Sequence, residues 1–199
     1  PSGSMMDAFG KLRISQGYTL FDSSHRYIDN GKWAESTSGT ANSQHNSNQS
    51  VVLLNVGTAS GDKIYRETKR VFSYQPGKSL LIMNTFVMTT PKTNVRQRVG
   101  FFNSENGVFF ENDGSTNYIV LRSNVTGTPT ETRVAQTDWN IDTFSGTETD
   151  YSTQIDHNFT SGLDVTKGNI FWMDVEWLGV GDVRCGFVVE GKPLVAHVF

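Results

Sequence analysis

Apolar residues in this chain come in short bursts, and none of the bursts recurs with the 3.6-residue period of a helix. Extended segments are predicted at 50–56, 64–74, 79–89, 96–102, 108–111, 118–123, 131–135, 169–178, 182–189 and 194–199, spaced as in a sandwich of short strands. The last hairpin is the plainest. Phe171, Met173, Val175 and Trp177 alternate with Trp172, Asp174, Glu176 and Leu178, and Val183, Cys185, Phe187 and Val189 follow across a Gly-Val-Gly turn. Side chains alternate across a strand, so the first set is predicted to face the core and Trp172, Asp174 and Glu176 the solvent.

Gly, Asn and Asp fall between these segments at 57–61, 103–107, 112–114, 126–129, 179–181 and 190–192, where they supply positive φ at little steric cost. The pattern predicts an all-β fold: a two-sheet antiparallel sandwich of jelly-roll (concanavalin-like) type with an extended N-terminal arm. Residues 1–34 read as arm and connector and 35–199 as the sandwich. The polar run 35–50 reads as a loop or a polar edge hairpin, and 137–167 as a long excursion of the kind that carries function or meets a partner. The strand at 194–199 has no exit loop after it, which fits either a rim strand or a fragment of a longer polypeptide.

Composition sharpens this picture. Thirteen Phe, six Tyr and four Trp must supply much of the core, while 19 Gly against five Pro suits many turns. The net charge of −3 is spread without long runs of one sign, which disfavours a nucleic-acid footprint. A single cysteine, Cys185, excludes an intrachain disulfide and any CxxC motif, and its strand position reads as a buried thiol. No run of about 18 apolar residues suggests membrane insertion.

The segment Asp7-Ala8-Phe9-Gly10-Lys11-Leu12-Arg13-Ile14-Ser15, followed by Tyr18-Thr19-Leu20-Phe21-Asp22-Ser23, resembles the D-A-F-G-R-L-R-V-S and T-x-F-D-S signature of structural proteins of tailed bacteriophages. The stretch from Trp172 to Gly181 is also similar to such proteins. The resemblance implies a virion component of head or tail, assembled in the host cytoplasm, whose partners are further copies of itself and other virion proteins. The arm residues Phe9, Leu12, Arg13, Ile14, Tyr18, Leu20 and Phe21 are then candidates for assembly contacts, because a segment this apolar suits addition to a neighbour's sheet edge or closure of its own sandwich.

Other chemistry is sparser. Asp174 and Glu176 lie on one face of one strand, about 7 Å apart along it, like part of the E-x-D-x-E element of jelly-roll glycosidases. Trp172 stands where the first Glu should be, so a solvated strand face is the plainer account and no catalytic residue is assigned. Trp33, Trp139, Phe144 and Tyr151 are candidates for a surface that stacks on host glycans or fills a partner's pocket, with end caps of the sandwich as the alternative. His25, His45, His157 and His197 show no ligand spacing, and Asp138, Asp142, Asp150, Asp156 and Asp164 could meet around Ca²⁺ only across loops; no metal or cofactor is expected. The function expected is assembly and surface binding without catalysis, and the alternative is a carbohydrate-binding or glycosidase-like jelly-roll module on a tail fibre.

Overall fold

The computed structural model describes residues 18–72, 78–146, 162–176 and 181–199. Its chain forms two compact units, Pro1–Tyr74 and Gln75–Phe199.

In the first unit β1 (Trp33–Ser38) pairs antiparallel with β4 (Lys63–Thr68), and β2 (Asn42–Asn46) with β3 (Val51–Asn55). The polar run read as loop or edge hairpin therefore holds most of β1 and all of β2. Hydrophobic pattern could not reveal these strands because they are ordered by polar side chains. Asp62 accepts the Thr40 and Gly57 backbone N–H groups and the Thr40 hydroxyl, clasping the break between the two strand pairs. Beyond that break Ser43 donates to Glu35, which brings β2 back onto β1.

The second unit is a sandwich of two antiparallel four-stranded sheets, ordered β12-β11-β10-β5 and β6-β7-β8-β9. Its strands are β5 (Ser79–Phe86), β6 (Gln97–Phe102), β7 (Gly107–Asn112), β8 (Asn117–Ser123), β9 (Thr130–Ala135), β10 (Asn169–Glu176), β11 (Val183–Val189) and β12 (Lys192–Val198). Consecutive strands stay within a sheet except at the β5-to-β6 and β9-to-β10 connections. The all-β antiparallel sandwich expected from the spacing of apolar bursts is thus observed, and among the described residues the only helical turn is the 3-10 turn Gln136–Asp138.

Alternation on β7 fixes one inner face, with Val108 and Phe110 turned to the core. From the other sheet come Phe171, Met173, Cys185, Phe187 and Leu194, all in the same cluster. Phe110 is the meeting point: its ring lies 5.8 Å from Phe171 and 5.3 Å from Phe187, edge-on to the latter. Burial pushes the Cys185 thiol far above its ordinary range, which makes it the inert group expected.

The described part of the long excursion closes one side of this core. Trp139 stacks on Phe187 at 6.0 Å and Phe144 packs edge-on against the same ring at 5.4 Å. A line of amides holds the loop in place: Asn112 donates to Asn117, Asn117 to Gln136, and Gln136 to the Thr143 carbonyl at 2.7, 2.9 and 2.8 Å. Asn112 is buried, so the line also satisfies a polar group that would otherwise cost stability. On the far side of the loop, the Ile141 and Asp142 N–H groups share the Ala196 carbonyl, and the Asn140 side chain brackets Val198 through its N–H and carbonyl. The outward edge of β12 is covered in this way.

Trp172 departs from expectation. It lies on the outer face as predicted, yet it is only 7% exposed. Its cross-strand neighbour is Gly186, at a register shift between β11 and β12, where the backbone of β12 approaches closely. A Cβ on Gly186 would fall 1.8 Å from the Leu194 carbonyl oxygen. The indole N–H donates to the carbonyls of Phe187 and Leu194 at 3.3 and 3.1 Å. Consequently Phe187→Ala is expected to lower stability by ~3–5 kcal/mol, and Trp172→Ala by a comparable amount instead of sparing the fold. Urea denaturation of both variants beside the parent checks this; a Trp172→Ala midpoint equal to the parent's would contradict it.

Candidate functional site

The outer face of the β12-β11-β10-β5 sheet carries the carboxylates singled out from sequence. Register places Arg184 directly opposite Asp174. Its Nη2 lies 3.2 Å from Asp174 Oδ2 and 3.3 Å from Glu176 Oε1, so one guanidinium serves both carboxylates. Glu176 is buried and Asp174 half-buried. This is the geometry of an ion-pair cluster, with the pair forming part of the sheet surface and not a solvated face. Loss of a partner from such a cluster is costly because the charge left behind remains desolvated.

Beyond β10 lies β5, the outermost strand of the sheet. Leu81 and Met83 stand beside Asp174 and Trp172 on this outer face, 53% and 55% exposed. The sequence of β5, Ser-Leu-Leu-Ile-Met-Asn-Thr-Phe, is apolar on both faces, the pattern of a strand buried on both sides. The sandwich covers only the face of Leu80, Ile82 and Phe86. Sequence reasoning missed Leu81 and Met83 as surface residues, although the lack of alternation in that run was the available signal. Asn84, on the inner face of the same strand, has a buried Nδ2 with no partner.

The outer face of the other sheet is built differently. Glu111 is fully buried there between Arg98 and Arg133, which both donate to it. Arg122 pairs with Glu131 at 2.7 Å, and Arg98 and Arg122 each lie 5.1 Å from the centre of the Phe109 ring. Three arginines against Glu111, Asp113 and Glu131 leave this surface electrically balanced. It is a lid over Phe109 and Val120 made of paired charges and cation–π contacts.

The remaining candidates separate. Trp139 and Phe144, proposed for a glycan or partner surface, are 4% and 2% exposed and belong to the core, because the loop carrying them is tied inward by the amide line. Trp33 is half-buried, its indole N–H donating to Ser23 and its ring edge-on to Phe21 at 5.8 Å. Of the arm residues, Phe21 also meets Phe72, the Leu20 carbonyl accepts from Arg70, and Tyr18 is exposed; Phe9, Leu12, Arg13, Ile14 and Tyr151 lie outside the described residues. Among the Ca²⁺ candidates, Asp142 accepts the Phe144 N–H and Asp164 caps Thr166 through its N–H and hydroxyl. Asp150 and Asp156 lie outside the described residues, and among those described no group of three or more His, Cys, Asp or Glu is placed to hold a metal.

Two histidines carry a pH signal. Burial, then Arg66, holds His25 below its ordinary pKa, aided by His45 and opposed by Asp29, and its Nδ1 is buried without a partner. His197 is lowered by burial, and its Nδ1 accepts the Asn140 N–H at 3.2 Å. No family model, curated protein or solved structure matches the chain.

A histidine with a lowered folded pKa takes up its proton more readily when unfolded, so each withdraws stability as pH falls below the ordinary value of 6.5. The carboxylates Asp29, Asp113 and Glu131 are held below their ordinary 3.8 or 4.5 and act only in more acid solution. Urea midpoints at about pH 7.5 and 5.5 are therefore expected to fall, and His197→Gln is expected to shrink that fall for the second unit. Equal midpoints at the two pH values would refute the assignment.

Proposed function

We propose that this chain is a structural component of a tailed-phage particle that acts by assembly with further copies and other particle proteins, without turnover. The observation that carries this reading is the exposed β5 edge and outer row: an apolar strand with one face uncovered needs a partner surface more than it needs a substrate. The resemblance of residues 7–23 to tailed-phage structural proteins supplies the context of head or tail. The carboxylates that suggested a glycosidase share one arginine. Two of the four rings suggested for a glycan surface are spent on the core. Both facts favour assembly over the carbohydrate-active alternative.

The arm remains part of the proposal through its sequence, since Phe9, Leu12 and Ile14 are too apolar to favour a free tail. Sedimentation velocity of the full chain across a wide concentration range is expected to show self-association, and deletion of residues 1–17 is expected to weaken it while leaving the melting temperature of the second unit unchanged. A chain that is monomeric throughout and hydrolyses a β-glucan or host surface polysaccharide would overturn the reading in favour of the enzyme alternative.

A further inference from the structure

Four strands end the two sheets of the sandwich, and three of them are blunted. The outward edge of β12 is covered by 140–142. Strands β6 and β9 carry Arg98, Glu131 and Arg133, charges of the kind that discourage edge pairing. Strand β5 has no charge, no proline, no glycine and no bulge, and its register with β10 runs unbroken through all eight residues. Among the described residues no backbone hydrogen bond reaches its other edge. That edge offers the N–H and C=O groups of alternate residues, without a backbone partner among the described residues, flanked by exposed Leu81 and Met83.

We propose that β5 pairs antiparallel with β5 of a second copy, about a two-fold axis through Ile82, so that the sheet continues from one molecule into the next. The register is self-complementary. Antiparallel pairing about Ile82 sets Leu81 opposite Met83 of the partner copy and Met83 opposite its Leu81, with Ser79 opposite Thr85 on the same outer face. Each exposed apolar side chain is covered by the other copy's. On the inner face Leu80 meets Asn84, and Ile82 meets itself. Because no residue from Ser79 to Phe86 is charged, the symmetry brings no like charges together, the usual penalty of pairing a strand with itself.

An eight-residue strand pair covers less than the ~1,200–2,000 Å² of a stable complex, so this contact is weak in dilute solution. It gains force where copies are already held near one another, as in a particle. The inference rests on the assembly reading above and names the surface through which one contact is made.

The test uses the full chain with two single variants, Leu81→Cys and Met83→Cys, one of them carrying a mass tag. The native Cys185 is fully buried and does not compete. Under mild oxidation the mixture is expected to give a mixed disulfide dimer in preference to either self-dimer, since residues directly opposite are closer than the diagonal neighbours at about 7–8 Å. In parallel, Met83→Lys is expected to weaken self-association by about tenfold or more with its melting temperature unchanged. A mixture without disulfide dimer, or with self-dimers as abundant as the mixed one, overturns the pairing. Self-association that survives Met83→Lys but is lost on removing residues 1–17 also overturns it, and leaves the assembly reading standing on the arm. A chain that is monomeric in every form overturns both.

Discussion

The packing of Phe110 against Phe171 and Phe187 is the contact on which the rest of the sandwich depends. It is where the two sheets meet, and a third element, the loop from Gln136 to Gly146, inserts Trp139 and Phe144 against the same Phe187 ring. Rings from three elements converge on Phe187, and rings pack well only at defined angles. The loop is therefore as much a part of the core as the strands. Its inward ties through Asn112, Asn117 and Gln136 connect its position to the sheet carrying Phe110.

That arrangement sets the asymmetry of the surface. One side of the sandwich is sealed, because the loop that fills the core also covers β12. The opposite side ends in β5, which gives Phe86 to the ring cluster, 5.6 Å from Phe110, and leaves its outer row bare. The two outer faces differ in the same spirit. Over β6 to β9, paired arginines and carboxylates screen Phe109. Over β10 and β5 the cover thins from Trp172 and the Arg184 cluster to exposed Leu81 and Met83. The assembly surface proposed at β5 lies where this cover is thinnest, while Asp174 and Glu176 share Arg184 as part of the sheet surface.

The sequence by itself determined the all-β class, the positions of most strands in the second unit, and the inward set Phe171, Met173, Cys185 and Phe187. Period-two alternation and turn residues are local signals, and they survive whatever the rest of the chain does. It left the run holding most of β1 and all of β2 open between a loop and a polar edge hairpin, because order there comes from Asp62, Glu35 and pairing rather than from apolar alternation. Nor did it separate a ring in a loop from a ring on the surface: Trp139 and Phe144 sit in polar sequence and are buried only because amides far along the chain draw their loop inward. Trp172 was placed on the correct face but with the wrong exposure, since its indole is held against the carbonyls of Phe187 and Leu194 on two other strands. Whether a doubly apolar strand such as β5 is central or at an edge is a matter of sheet order, which is decided by contacts between distant segments and is written in no local pattern.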